Sequence, residues 1–278
     1  MSLVVNTNMS SILTQRYLQN AGNALSTSMQ KLSSGLRINS AGDDAAGLSL
    51  SKKIGTQVSA SDVAKRNAQT GINMIQTAES DLSVIQDNLQ RMRDLSVQAA
   101  NGVYSSSERD MLNQEFQDRA KEIDRIAKSS SFSSMKLLNG DASSLILQIG
   151  TNNTADDRID IGSVFANFQA GSNSMPALTN TISTATAAQG QITALDTALS
   201  SVSVARSSMG AAINRLQGTI SRIDIRKENM SSAQSVIQDT DIAAETAQMT
   251  KQNILKQTAT AMLQQANQQP GLALSLLQ

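Results

Sequence analysis

Residues 192–230 read ITALDTALSSVSVARSSMGAAINRLQGTISRIDIRKENM. Ile192, Leu195, Leu199, Val202, Arg206, Met209, Ile213, Leu216, Ile220, Ile223, Lys227 and Met230 follow one another at alternating steps of three and four. That spacing keeps one stripe of a helix facing a partner helix, the signature of a coiled-coil seam. At 1.5 Å per residue such a helix extends roughly 58 Å, longer than an ordinary globular domain needs. A second seam lies upstream at Gly71, Ile75, Ala78, Leu82, Ile85, Leu89, Met92, Ser96 and Ala99. Two stripes in one chain most simply bury each other. The expected intrachain seam is therefore Ile75, Leu82, Ile85 and Leu89 against Leu199, Met209, Ile213, Leu216 and Ile220. The fold class is mainly α, a long antiparallel helical rod.

Composition agrees with narrow seams. Aromatic residues make up 2% of the 278 residues, and thick cores usually recruit them for their area. Lys and Arg number 23 and Asp and Glu 23, so no net charge draws the chain to nucleic acid or an anionic membrane. Cysteine is absent, which excludes disulfides and thiolate zinc sites. No run of 18 apolar residues is present, and the N-terminus lacks a basic segment followed by an apolar one. A membrane span and an ordinary secretory signal are both unexpected, so an extracellular location requires another route.

In chain order, residues 1–8 read as a short extended arm. Helical spacing begins at Met9, Ile12/Leu13, Tyr17, Ala21, Leu25, Met29, Leu32 and Leu36, on a narrow stripe whose opposite face is Ser, Asn and Gln. A freely solvated helix commonly carries charged i,i+4 pairs, so this face suits packing against copies of itself. Residues 36–48 form a connector in which Ser40 or Asp43 can cap the next helix. That helix ends at Asn101-Gly102, and Ser107 with Asp110 has capping-box spacing for a third. Leu145–Ile149 and Ile159–Ile161 alternate with period two and predict a hairpin near 140–165. Residues 163–189 read as a loop containing Pro176. Gln238–Asp241 interrupts the long seam before a last helix carrying Ile254/Leu255, Ala259, Met262 and Ala266.

Catalysis finds no support. Histidine and cysteine, the usual members of nucleophile–base pairs, are both missing. The adjacent pairs Asp43-Asp44 and Asp156-Asp157 read as caps or solvated groups, since neighbours on a helix diverge by about 100°. Gly210 and Gly218 sit inside an unbroken seam and do not form a phosphate loop. No metal or cofactor is expected. A chemoreceptor signalling hairpin has similar composition, but it requires a membrane span and an uninterrupted helical hairpin rather than central strands.

Four stretches resemble one family. KLSSGLRINSAGDDAAGLSLS at 31–51 is similar to the N-terminal signature of bacterial flagellin. NLQRMRDLSVQAANG at 88–102 and KEIDRIAKSSSFSSMKLLNG at 121–140 resemble the blocks that follow it. TKQNILKQTATAMLQQANQQPGLALSLLQ at 250–278 is similar to the family's C-terminus. The resemblance implies that the terminal helices pair as an axial core, residues 1–40 with 238–278, beside a bundle of 41–237. No outer variable domain is expected, because few residues separate the matching blocks. Leu25, Met29, Leu32, Leu36, Leu255, Met262, Leu276 and Leu277 become candidates for self-assembly.

The implied protein is a non-enzymatic, extracellular filament subunit for motility, exported unfolded and ordered on assembly. Its implied partners are copies of itself, the flagellar export apparatus and an export chaperone, and the filament cap and hook-junction proteins. A hook–filament junction protein shares such termini, but the strength of both signatures favours flagellin. Arg91, Leu95 and Glu115 match positions where many flagellins contact the flagellin-sensing Toll-like receptor of vertebrates. Read without that resemblance, Arg91 and Glu115 are solvated and Leu95 packs.

Overall fold

The structure, a computed structural model, describes residues 7–175 and 180–275. Five helices carry most of it: α1 (Met9–Ser34), α2 (Ala45–Ala100), α3 (Ser106–Ser129), α4 (Ala185–Gln238) and α5 (Ile242–Ser275). Between α3 and α4 lie four short strands, β1 (Ser131–Phe132), β2 (Met135–Lys136), β3 (Ile146–Gln148) and β4 (Arg158–Asp160). The chain forms two compact units, Met1–Gln57 with Glu228–Gln278, and Val58–Lys227. Their bounds fall inside α2 and α4, where no cap or glycine marks them.

In the unit Val58–Lys227, α2 and α4 run antiparallel. Asp62, Lys65, Glu79 and Arg93 on α2 meet Lys227, Asp224, Arg206 and Asp196 on α4, in descending order. The seam expected from the sequence is present. Ile75, Leu82, Ile85, Leu89 and Met92 of α2 are fully buried. On α4 the burial follows the heptad: Leu195, Val202, Met209, Leu216 and Ile223 are buried, while Leu199, Ile213 and Ile220 are partly buried. Arg206 breaks the apolar stripe, donating from Nη1 to Gln86 Oε1 (2.7 Å) and from Nη2 to Glu79 Oε1 (3.3 Å). α4 starts at Ala185, earlier than the seam alone predicts.

α3 lies antiparallel along α2 and closes the core with Phe116, Ile123 and Ala127. Its cap differs from the sequence expectation. The box is Ser105 with Glu108, and the Ser105 N–H donates to Glu108 Oε2 at 2.7 Å. Asp110 lacks the extra methylene that lets Glu reach back to the cap. Ser105→Ala should lower the melting stability by about 1 kcal/mol and Ser107→Ala by almost nothing. Equal losses in thermal unfolding would refute the assignment. Asp44, not Ser40 or Asp43, caps α2, accepting the Gly47 N–H at 2.8 Å. Asp43 instead accepts the N–H groups of Asn39 and Ser40 and orders the connector.

The hairpin forms in register, Leu147 opposite Ile159, one residue shorter at its outer ends than its apolar pattern. It packs close to α2: a Cβ at Gly71 would lie 2.2 Å from Leu147 Cδ1 and would have to push that side chain aside. Among the described residues, the stretch between the hairpin and Ala185 has one short 3-10 turn, Gly162–Val164, and is otherwise irregular, yet it is anchored. Phe165, Phe168, Met175 and Ile182 are buried in the same core as the helices. Pro176, expected within this loop, lies outside the described residues.

Candidate assembly surfaces

The unit of the two chain ends is built on α1 and α5. Asn8 Nδ2 donates to Ala266 O at 2.7 Å near one extremity. Near the other, Leu36 bridges Asp239 and the Thr240 N–H donates to Gly35 O at 3.0 Å. The two helices are therefore antiparallel. Gly35, at φ 72°, ends α1 in the left-handed conformation, and its N–H returns to Lys31 O. Asp241 caps α5 by accepting the N–H groups of Ala243 and Ala244. Arg37 ties the connector to α4 through the carbonyl of Ile237 at 2.7 Å.

Small residues fill the seam between α1 and α5. Among the described residues of these helices, the buried ones are Ala21, Ser28, Ala259 and Ala266. Leu25 and Leu32 are partly buried, as is Leu36 just beyond α1. The stripe expected from the sequence divides: Ala21 is buried, while Met9 (69% exposed), Ile12 (53%), Tyr17 (56%) and Met29 (50%) are exposed. On α5, Ile254, Leu255 and Met262 are likewise exposed. Leu276 and Leu277 lie outside the described residues. Ala21, Ala259 and Ala266 lie on the stripes expected from the sequence, whereas Ser28 was missed, because serine carries no apolar signal. Exposed apolar rows of this length mark a surface that another molecule covers.

In the unit Val58–Lys227, Arg91 and Glu115 come together and Leu95 does not join them at the surface. Arg91 Nε and Nη2 donate to Glu115 Oε1 and Oε2 at 2.9 and 3.0 Å. Leu95 is wholly buried in the core. The guanidinium holds the Glu115 carboxyl below the usual carboxylate range, as Lys227 does for Asp62. Backbone N–H groups do the same for Asp43 and Glu108.

Each of these acids binds its proton less readily in the fold than in the unfolded chain. Their contribution is therefore complete above the unfolded value, about pH 4, and is lost as pH falls through the lowered folded values. The chain has no histidine. The melting temperature should be flat from about pH 5.5 to 8 and drop below about pH 4. A scan that slopes steadily across neutral pH would contradict this.

No helix among the described residues is long and apolar enough to cross a membrane. Residues 5–143 match the model of the bacterial flagellin N-terminal helical region, and residues 192–277 match that of the C-terminal helical region. The chain belongs to the bacterial flagellin family. A flagellin of Halalkalibacterium halodurans is 42% identical over 275 residues, covering 99% of this chain and all of that one. Flagellin FlaB1 of Treponema pallidum is 37% identical over 285 residues, again 99% of this chain and all of the relative. The polar flagellin F of Vibrio parahaemolyticus is 33% identical, with both chains covered in full, over an alignment of 376 positions. That alignment is much longer than this flagellin, which fits a short form without an outer variable domain. A crystal structure of Bacillus cereus flagellin covers 61% of the chain and 94% of its own length, at 26% identity and a TM-score of 0.49. As a flagellin, the chain is a structural subunit of the flagellar filament, assembled from copies of itself.

Proposed function

We propose that this flagellin polymerises by coupled ordering and association of its ends. The observation that carries the reading is the face of α1 and α5. The two helices bury alanine and serine between themselves and leave Met29, Leu255 and Met262 exposed, with Leu25, Leu32 and Leu36 partly covered. A two-helix pair so thin recovers little of the cost of ordering it, roughly 1–2 kcal/mol per residue. Neighbouring subunits cover the remaining faces and supply the missing burial. Residues 1–40 with 238–278 thus act as the axial core, with Leu276 and Leu277 in its C-terminal tail, and 41–237 as the surrounding bundle.

Unfolded export through the flagellar apparatus, with an export chaperone, fits ends that order late and a chain without disulfides. Growth beneath a filament cap, on hook-junction proteins, places the product outside the cell. A structural role of this kind leaves no catalytic step to assign. Electron microscopy of purified subunits, seeded or salted out, should show long tubes of regular helical symmetry. Closed rings or monodisperse dimers would remove the reading, since a heterologous contact that does not close makes a filament.

The exposed pair Arg91–Glu115 supports a second role as a contact for the flagellin-sensing Toll-like receptor, with Leu95 packed in the core. Depolymerised subunits should activate receptor-reporter cells and Arg91→Ala should weaken the response. Leu95→Ala is a poor probe, because it opens a cavity in the core. An undiminished Arg91→Ala response eliminates the site.

A further inference from the structure

Arg158 on β4 and Arg215 and Arg222 on α4 line one cleft of about 550 Å³. Its floor is buried and neutral, Ile149, Ile159 and Thr219, and Asp156 on its wall is one carboxylate among the three arginines, with no ion pair to them among the described residues. Thr219, between the two helical arginines, gives its hydroxyl hydrogen to the Arg215 carbonyl. Arg158 is steadied by the side-chain oxygens of Gln148 and Asn153. Arg215 and Arg222 have no ion pair or side-chain hydrogen bond among the described residues, and no acid stands three or four positions from either. The other cations of α4 in the seam, Arg206 and Lys227, are both paired across to α2. Arg226 follows Arg222 at i,i+4, a like-charge spacing that costs helix stability. One carboxylate, Asp156, against three arginines leaves the cleft with an excess of positive charge.

The complementary row is on the exposed face of α2. Asp87 and Asp94 are exposed and form no side-chain hydrogen bond or ion pair among the described residues, and Arg91 between them donates to Glu115. Both rows repeat at seven residues, about 10.5 Å of helix rise. The α2–α4 register adds a geometric condition. Lys65 faces Asp224 and Arg93 faces Asp196, which sets Arg222 level with residue 67 of α2 and Arg215 level with residue 74. Asp87 and Asp94 stand twenty residues further along from those levels, so a single shift of about 30 Å along the helices matches both pairs at once. A chain of zero net charge has no overall field for drawing in a polyanion, which favours a matched row of acids.

Resting on the filament reading, we propose that the Arg215–Arg222 row of one subunit receives Asp87 and Asp94 of a second copy with the same polarity, Arg158 closing the cleft. The two rows are different surfaces, so the contact is heterologous and propagates.

The test uses full-length chains and seeded sedimentation. Arg215→Glu with Arg222→Glu, and separately Asp87→Lys with Asp94→Lys, should each raise the critical concentration by at least about tenfold, since facing like charges are strongly disfavoured. The fourfold exchange should restore growth toward the parent value, while circular dichroism verifies that every variant is folded. If a reversal fails to fold, Arg215→Gln with Arg222→Gln should still raise the critical concentration and weaken its salt dependence. Parent-like growth of the reversed or neutral variants overturns the contact, as does a folded fourfold variant that fails to grow. Heparin bound by the parent monomer and lost in Arg215→Glu/Arg222→Glu, with growth unchanged, replaces it by a polyanion site. A parent chain that forms no filaments removes the filament reading and the contact together; filaments indifferent to charge reversal remove the contact alone.

Discussion

Trypsin added to the free subunit is expected to cut after Arg16, Lys31, Lys251 and Lys256 first, leaving a resistant fragment around residues 58–227. The same protease on the polymer should leave the chain intact. The four early sites lie on α1 and α5, whose mutual seam is Ala21, Ser28, Ala259 and Ala266. Burial returns about 25 cal/mol per Å² of apolar area, and alanine offers little of it. Local opening of such a pair is therefore easy in the monomer. Polymer contacts bind only the ordered form and shift that equilibrium by mass action. Met29→Gln, Leu255→Gln and Met262→Gln together should change monomer melting little, because all three are exposed, and yet abolish elongation. Monomer ends as protease-resistant as those of the polymer would show that ordering precedes assembly, and the proposed mechanism would fail.

The second large effect is expected inside the bundle. Leu89→Ala should destabilise the subunit by about 2–5 kcal/mol, from lost transfer energy and the cavity left behind. Leu89 is wholly buried, and its neighbours belong to the shared core of α2, α3 and α4. Total stability of a domain is about 5–15 kcal/mol, so one such change removes a large fraction. Ile213→Ala, on the partly covered line of the α4 heptad, should cost less. The pair can be compared by denaturant melts of the monomer. Equal losses would mean that the two halves of the seam are equally packed, contrary to the burial seen here.

The seams were legible in the sequence because a 3.5-residue period over many turns has no competing explanation. Ile75 through Met92 needed no tertiary information to be placed inside. The cap of α3 was harder, since Ser105 with Glu108 and Ser107 with Asp110 share one spacing, and only side-chain reach separates them. The stripe on α1 is legible only in part for a different reason. Its period does not say which members the chain covers itself: Ala21 is buried, whereas Tyr17 and Met29 face out. Phe165, Phe168, Met175 and Ile182 were illegible as core because anchors in an irregular segment have no period. Leu95 was placed by its own helix: it adjoins Met92 and Ser96 on the buried side of α2, and it packs as the residues alone suggested.

Arg206 has a consequence for how the bundle finds its alignment. Heptads on both α2 and α4 make the seam resemble a ruler with identical divisions, and apolar teeth mesh nearly as well after sliding by seven. Slid one division, Lys65 would face Gln217 and Arg93 would face Gln189 in place of their aspartates. Arg206 would then exchange Glu79 and Gln86 for Ile72 and Glu79, losing one acceptor to an apolar neighbour; slid the other way it would meet Gln86 and the like charge of Arg93. A half-buried guanidinium that is short of an acceptor, or that faces its like, costs free energy. Arg206 is thus the zero mark of the ruler: a chain that zips up off by one division meets it as an obstruction and must unzip and try again.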